Sequence, residues 1–540
     1  MQHGVLALLL HAHLPYVRHP EHDDFLEERW LFHAITDSYL PLLAMVERLE
    51  RDRIPARFAL SLSPTLLAML ADPLLRARYQ RFAEAQLDFA LREHTDAGPH
   101  HPLAEALQHH CHTFTNTLAT WNAWNGDLVK AFRWLIGSGF ASPWTTAATH
   151  PFLPLWQNHP YILHAQIGAG IRSFTRHLGM PPVGFWLPEC GYFPGIEPLL
   201  HDHRIQATLL ETHGLLNATP APPHGPYSPV LSEPGIGILA RDPLCASAVW
   251  SRHQGYPGDP LYREYHHDLS AQKTVAQLGP LAVAGQFPSE TGIKPYAVTG
   301  AEPKQSYQPA LARQRATQHA QHFVAQRLHH LDTTLAHLPS PPVFTAPYDA
   351  ELFGHWWHEG PLFLEHLFRT LHQTGPRLRP LSPEEALHTQ PLQTVQPAAS
   401  TWGEHGYHSV WVHPENEWSL PHLHQLARRV QTATLAAETS PTPLRHRAAR
   451  QALRELLLAQ ASDWPFILKQ KTATAYADQR LRDHLARGAY LCQAIERDTI
   501  DPQTLADLEA LSPIFPETDL QPTILPEPVP PSPFPEPPNP

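Results

Sequence analysis

Short apolar runs that each end at a polar residue constrain this chain more than any other feature. Five such runs are 5–10 before His11, 57–62 before Ser63, 183–187 before Glu189, 206–210 before Glu211 and 343–346 before Asp349. Continuous apolar strands separated by helical stretches are typical of a parallel sheet that helices cover on both faces. Parallel α/β barrels collect their active-site residues at the C-terminal ends of the strands. The sequence therefore predicts an α/β fold with a functional site at the strand ends.

The predicted elements divide the chain into three regions. At 540 residues it exceeds one core of ordinary size, so two or more structural units are expected. Beyond 418 the strands give way to long helices, with apolar residues at helical spacing at Leu444, Ala448, Leu453 and Leu457. The last stretch is rich in proline and has little apolar surface to bury. We expect a catalytic region over 1–418, a helical domain over 419–512 and a disordered tail over 513–540.

Charge and hydropathy exclude two classes of partner. The formal net charge is −12 at neutral pH, whereas nucleic-acid binding needs a basic surface. No apolar run approaches the length that crosses a bilayer, and no basic region precedes the short run at 5–10. We therefore expect a cytoplasmic protein that binds neither nucleic acid nor membrane.

Cysteine spacing argues against a disulfide framework or a structural zinc site. The four cysteines are far apart and form no CxxC pair. Reduced, separate thiols are typical of a cytosolic enzyme.

The first cluster with chemical potential is His11-Ala-His13, directly after the first apolar run. Alternate residues of a strand share a face, so both imidazoles can enter one pocket. Three interpretations remain open from these residues alone: a metal-binding pair, hydrogen bonding to substrate hydroxyls, or two ordinary core or surface histidines.

Two carboxylates follow separate strands, each beside aromatic residues. Glu189 lies between Trp186 and Tyr192, and Asp349 precedes Trp356-Trp357. Glycoside cleavage needs such a pair, because one group attacks the anomeric carbon or activates water while the other protonates the leaving oxygen. Glu351 is a rival to Asp349 for the second role.

A fourth cluster contains three tryptophans, at Trp402, Trp411 and Trp418. Exposed tryptophan is a common platform for sugar rings, yet buried core tryptophan is equally common. The sequence alone leaves both interpretations open.

Taken in order, these clusters resemble glycoside hydrolase family 57, in its α-1,4-glucan branching subgroup. The similar motifs are 11–16 (HAHLPY), 145–154 (TTAATHPFLP), 186–192 (WLPECGY), 348–357 (YDAELFGHWW) and 401–411 with Trp418. Resemblance to the subgroup comes from Cys190 after Glu189, from 249–251 and 255–258, and from 463–466 (DWPF).

The resemblance implies an incomplete (β/α)7 barrel with a helical insertion and an all-helical C-terminal domain. It also implies a retaining transglycosylase without a metal or other cofactor, acting on α-1,4-glucans such as amylose and glycogen-type polysaccharide. Glu189 becomes the nucleophile and Asp349 the acid/base. The substrate-binding residues that it implies are His11, His13, His150, Trp186, Tyr227, Arg241, Arg263, Trp357, Trp402, Trp411 and Asp463.

One position departs from the family pattern, and another bears on the exclusion of water. Glu211 stands where relatives carry aspartate. Tyr227 matches a tyrosine that relatives carry on a mobile loop over the active site, so we hypothesise that it shields the covalent intermediate from water.

Three alternatives to branching remain. The first is an α-amylase or 4-α-glucanotransferase of the same family. The second is a metal-dependent enzyme similar to α-mannosidases or deacetylases, with His11, His13 and Asp349 as ligands. The third is a catalytically inactive glucan-binding protein, which the presence of both carboxylates disfavours.

Overall fold

A computed structural model describes residues 3–251, 254–283, 289–439 and 442–516 of the chain. One ten-stranded sheet organises it. Its strands are β1 (Gly4–Ala12), β2 (Phe58–Leu62), β3 (Ala141–Thr145), β4 (Gly184–Phe185), β5 (Ala207–Leu210), β6 (Val230–Leu231), β7 (Gly237–Ala240), β8 (Val343–Asp349), β9 (Leu378–Leu381) and β10 (Gln393–Thr394).

The strand order makes an open barrel of parallel strands. The parallel series runs β7-β5-β4-β3-β2-β1-β8, while β6 pairs antiparallel with β7 and β9 adds to β1. Among the described residues no ladder joins β7 to β8, but one backbone bond crosses that seam, from Asp242 N–H to the Thr345 carbonyl at 2.8 Å. The expectation of an α/β fold with an incomplete barrel is confirmed.

The environment of strand β1 explains why polar and apolar residues do not alternate in the run 5–10. All nine of its residues are buried. Val5, Ala7 and Leu9 pack inside the barrel, whereas Leu6, Leu8 and Leu10 pack against the surrounding helices. A strand covered on both faces needs apolar residues at every position.

Helices surround the barrel and fill the insertions between strands. They are α1 (Glu28–Ala34), α2 (Leu40–Arg51), α3 (Pro64–Ala71), α4 (Pro73–Ala97), α5 (Ala104–Ala123), α6 (Leu128–Gly137), α7 (Pro160–Leu178), α8 (Glu197–Asp202), α9 (Thr212–Leu216), α10 (Pro243–Trp250), α11 (Val275–Leu278), α12 (Pro309–Thr333), α13 (Gly360–Thr374) and α14 (Pro383–Ala386). A π-helical turn, Ile35–Tyr39, links α1 to α2. None of the helices in the described part of the chain is long and apolar enough to span a membrane.

The C-terminal part of the described chain is helical. Its helices are α15 (Ser419–Glu438), α16 (Pro443–Ala459), α17 (Asp463–Gln470), α18 (Thr474–Arg497) and α19 (Pro502–Leu511). We predicted a disordered tail from 513, but Ile514 and Phe515 are buried, and their carbonyl oxygens accept hydrogen bonds from Arg454. Both side chains are apolar enough to join the helical core. The remainder of the predicted tail, 517–540, lies outside the described residues.

Candidate active site

Strand register brings the predicted polar residues together at one edge of the barrel. His11 of β1 is in register with Ser61 of β2 on one side and with Asp349 of β8 on the other. Glu189 follows β4, and Arg241 follows β7. Parallel strands place all of these positions at the same C-terminal edge, where the sequence predicted the site.

Backbone strain concentrates at the proposed nucleophile. Glu189, Cys190 and His150 have positive φ angles of 60°, 51° and 56°, a conformation uncommon for residues other than glycine. The Glu189 carbonyl accepts hydrogen bonds from the Thr401 hydroxyl at 2.7 Å and from the Trp402 N–H at 3.3 Å. These contacts hold a turn that aims the Glu189 side chain into the pocket.

Two donors hold the carboxylate of Glu189. The Trp402 indole N–H donates to Oε2 at 3.0 Å, and the Ser462 hydroxyl donates to Oε1 at 2.8 Å. Burial raises the pKa of Glu189 above its usual value, although these two hydrogen bonds act in the opposite direction. Donors aimed at both oxygens stabilise the ionised form, which is the form that a nucleophile needs.

At Asp349 the largest neighbouring charges act in the same direction as burial. Burial raises its pKa well above the usual range, and the negative charges of Glu351 and Glu189 raise it further. Of the two groups, Asp349 is therefore the one that holds its proton more strongly. Two carboxyl groups with different pKa values are what acid-assisted glycoside cleavage uses.

The rival carboxylate, Glu351, is tied to neighbouring elements. Its Oε1 accepts a hydrogen bond from the His13 N–H at 3.1 Å and another from the Tyr39 hydroxyl. Burial raises its pKa to about 7. These bonds join the end of β1 to the segment after Asp349, so the geometry favours a supporting role for Glu351.

His11 and His150 are linked directly. Their Nε2 atoms lie 3.0 Å apart, the second nitrogen of His11 lies 3.0 Å from the Ser61 hydroxyl, and that of His150 lies 2.9 Å from the Ser462 hydroxyl. Burial lowers the pKa of both histidines well below the usual range. They are therefore neutral.

His13 packs over the same group and contacts the helical domain. Its ring stacks on His150 with a centroid distance of 3.9 Å, and its Nε2 lies 3.1 Å from Asp463 Oδ2. Ligand atoms of His13, His150 and Asp463 all lie within 4.8 Å of one another, so this is the set that could converge on a metal ion. Both nitrogens of His150 are already hydrogen-bonded, so a metal there would have to displace those partners.

The set proposed for the mannosidase-like alternative, His11, His13 and Asp349, is not a group whose ligand atoms converge among the described residues. Both nitrogens of His11 are hydrogen-bonded to protein side chains. A cation on His11 would have to displace one of those bonds.

Two of the predicted tryptophans belong to the pocket. Trp186 is buried, with its ring 5.2 Å from His11 and 4.7 Å from Trp402. Trp402 contacts Glu189 directly. A third ring, Trp250, was not predicted; it lies 6.1 Å from Trp402 and is 38 % exposed. These rings form an aromatic wall that runs from the partly buried Glu189 carboxylate to solvent.

Two other predicted tryptophans are core residues. Trp411 is buried and stacks on Phe152 at 4.1 Å. Trp357 is 1 % exposed and packs against Phe363 at 5.0 Å. Both rings pack against aromatic neighbours, while their buried indole N–H groups have no partner among the described residues, so substrate binding by Trp357 and Trp411 stays a prediction. The outward ring of the tryptophan pair is Trp356, which is 54 % exposed.

The two predicted arginines have different surroundings. Arg241 donates to Glu211 at 3.0 Å, lies 6.0 Å from the Trp402 ring, and lowers the pKa of Asp349. It therefore belongs to the pocket, and Glu211 is its partner. Arg263 is buried, and its backbone N–H donates to Glu359. No hydrogen bond in the described structure joins the Arg263 side chain to either catalytic candidate.

Tyr227 lies away from the carboxylates. Its ring packs against Phe344 at 5.8 Å and His330 at 5.4 Å. Phe344 is at the beginning of β8, roughly 16 Å along the strand from Asp349 at the usual rise per residue. The hypothesis that Tyr227 covers the intermediate is not supported, because its ring packs on Phe344 and His330, on the helix side of the barrel.

Sequence reasoning missed Ser61 and Ser462. Neither serine belongs to a recognised motif, although Ser462 directly precedes Asp463 and the similar stretch 463–466. Short polar residues carry little signal by themselves, and only the fold brings these two next to the histidines.

The parallel barrel and its pair of unlike carboxyl groups, walled by tryptophan, define the class of barrel glycoside hydrolases. The chain belongs to glycosyl hydrolase family 57, whose profile matches residues 7–398. A second profile, described as the C-terminal region of 1,4-α-glucan branching enzymes, matches residues 422–522.

Similar proteins include both branching enzymes and an amylase. A 1,4-α-glucan branching enzyme of Thermococcus kodakarensis is 30 % identical, over 94 % of this chain and 76 % of that protein. The crystal structure of an α-amylase from Thermotoga maritima is 34 % identical with a TM-score of 0.88, covering 96 % of this chain and 98 % of that one. A branching enzyme structure from Pyrococcus horikoshii is 29 % identical with a TM-score of 0.85, covering 97 % and 98 %.

Proposed function

We propose that this protein is a retaining 1,4-α-glucan branching enzyme. One observation carries the proposal: the region that matches branching-enzyme C-terminal domains supplies Ser462 and Asp463 to the pocket, on Glu189 and His13. The catalytic carboxylates and the branching-type domain therefore form a single site, with an α-1,4-glucan as its substrate.

In the first step Glu189 attacks the anomeric carbon of an α-1,4 link. The bond to the leaving oxygen breaks as Asp349 transfers its proton to that oxygen, which releases the glucan end as a free 4-hydroxyl. The donor chain remains on Glu189 as a covalent ester. The positive charge of Arg241 lowers the pKa of Asp349 and so stabilises the carboxylate that Asp349 becomes.

In the second step Asp349 accepts a proton from the incoming hydroxyl, whose oxygen displaces Glu189 from the anomeric carbon. A glucan 6-hydroxyl gives an α-1,6 branch, whereas water gives hydrolysis. Transfer prevails only when a bound acceptor excludes water from the intermediate. Trp250 and Trp402 offer rings against which an acceptor chain can pack.

The α-amylase alternative has specific support, because the Thermotoga maritima amylase shares both fold and 34 % identity with this chain. Hydrolysis and branching use the same two carboxylates, so the pocket geometry is common to both activities.

The test is incubation of the purified protein with amylose, followed by counts of new α-1,6 linkages and new reducing ends. Branch formation in clear excess over new reducing ends is expected, and Glu189→Ala should abolish both. Reducing ends without branches would assign the protein to the amylases. A parallel reaction with chelator should keep full activity, whereas loss that zinc restores would favour a metal-dependent enzyme.

A further inference from the structure

We propose that Ser462 is a positioning residue for the nucleophile, and that it is the last link of a hydrogen-bond chain beginning at Ser61. The proposal rests on the nucleophilic role given to Glu189 above. It assigns the helical domain a direct part in the chemistry.

The chain consists of four consecutive short contacts. Ser61 Oγ lies 3.0 Å from His11 Nδ1, and His11 Nε2 lies 3.0 Å from His150 Nε2. His150 Nδ1 lies 2.9 Å from Ser462 Oγ, which lies 2.8 Å from Glu189 Oε1. The two serines and two histidines are all buried, so water does not compete for these bonds.

The carboxylate fixes the direction of every proton in this chain. Ionised Glu189 only accepts, so the Ser462 hydroxyl donates to it, and the Ser462 oxygen accepts a hydrogen bond from His150 Nδ1–H. Neutral His150 then accepts at Nε2 from His11 Nε2–H, and neutral His11 accepts at Nδ1 from the Ser61 hydroxyl. Aligned bonds of this kind polarise one another. All four donors thus point toward the nucleophile.

The backbone holds Ser462 in place independently of its hydroxyl. Its N–H donates to the His150 carbonyl at 3.0 Å, and Pro151 forms an antiparallel bridge with Ala461. Helix α17 begins at the next residue, Asp463. The helical domain is therefore joined to the barrel at the point where the hydroxyl meets Glu189, and removal of that hydroxyl leaves the junction intact.

Ser462 and Trp402 each hold one oxygen of the Glu189 carboxylate. Loss of either donor frees the carboxylate to rotate away from the line of attack. Removal of either hydrogen bond leaves the aromatic rings that bind glucan in place. The loss should therefore appear in kcat, with little change in KM.

The experiment compares two donors, amylose and an α-maltosyl fluoride. Fluoride leaves without protonation, so Asp349→Asn should recover the first step on this donor, seen as a rapid burst of fluoride release, while its steady-state turnover stays limited by the second step, which needs Asp349 as base. Ser462→Ala acts on the nucleophile, so its kcat should fall about 10- to 100-fold on both donors, in line with a hydrogen bond to a charged group. Ser462→Thr, which keeps the hydroxyl, should restore most of the activity.

Controls separate chemistry from packing. Ser142→Ala removes a buried serine hydroxyl of β3 that has no hydrogen-bond partner in the described structure, and it should leave both rates unchanged.

Ser61→Ala should reproduce the Ser462→Ala pattern with a smaller loss. Ser462→Cys serves as the loss variant if alanine does not fold, with melting curves recorded for every variant.

Equal activity of folded Ser462→Ala and parent on both donors would overturn the proposal. So would a loss confined to amylose, because that is the pattern of a defective acid. If Glu189→Ala kept near-normal activity, the proposed function itself would fail, whatever Ser462 does.

Discussion

The indole nitrogen of Trp402 lies 3.0 Å from Oε2 of Glu189, although 213 positions separate the two residues. This bond joins the turn after β4 to the turn that follows β10. Sequence analysis could place Trp402 equally well in the core. The bond shows that Trp402 is a partner of the nucleophile.

Trp402→Phe should therefore lower kcat on amylose by about 10- to 100-fold, because it removes a hydrogen bond to a charged group but keeps an aromatic ring. The matched variant is Trp411→Phe, whose ring stacks on Phe152 in the core. That variant should lower the melting temperature with kcat preserved. Equal kinetics in the two variants would contradict a role for the Trp402 indole.

The pH dependence should follow the two carboxyl groups. Activity needs Asp349 protonated, so it falls as pH rises through the pKa that burial and neighbouring negative charge have raised. It also falls at acid pH, where Glu189 gains a proton. Asp349→Asn should lose orders of magnitude in kcat/KM on amylose, and the residual activity should lack the alkaline limb. A pH–rate profile with the limb unchanged would reassign the acid.

The neighbouring residues Trp356 and Trp357 should behave in opposite ways. Trp356 is exposed and stacks on Tyr265 at 4.4 Å, which suits a sugar platform. Trp356→Ala should raise KM for long glucans several-fold at constant melting temperature. Trp357→Ala should instead destabilise the fold by about 3–5 kcal/mol, the usual range for a large aromatic removed from a core. Steady-state kinetics and denaturant unfolding measure the two effects.

Exclusion of water from the covalent intermediate should depend on Trp250 and not on Tyr227. Trp250→Ala opens the aromatic wall beside Trp402, so the share of hydrolysis should rise. Tyr227→Ala should leave the ratio of new branches to new reducing ends unchanged, because its ring packs on Phe344. A changed ratio in the Tyr227 variant would show that its loop reaches the site during turnover.

Truncation should distinguish the packed part of the C-terminal segment from the rest. A chain ending at Pro516 should keep its melting temperature and activity. A chain ending at Leu511 loses the buried side chains of Ile514 and Phe515, worth roughly 1.5–3 kcal/mol each, and should melt several degrees lower. Similar melting curves for both truncations would show that Ile514 and Phe515 contribute nothing.

Much of the fold was predictable because a buried strand shows itself as a short apolar run in the local sequence. The run before His11 contains no polar residue, which is what a strand covered on both faces requires. The same logic located Glu189 and Asp349 at strand ends. It did not distinguish Trp356 from Trp357, because adjacent aromatic residues look alike in sequence and only the backbone direction separates the buried ring from the exposed one.

The sequence by itself determined the α/β class, the strand ends that carry the carboxylates and the change to helices beyond 418, because each depends on residues close together in the chain. Only the tertiary structure decided which carboxyl has the more strongly raised pKa, since that depends on burial and on donors from distant segments. Ser462 reaches Glu189 across 273 positions. Long-range contacts of this kind leave no periodic pattern, so they become visible only when the helical domain and the barrel have packed together.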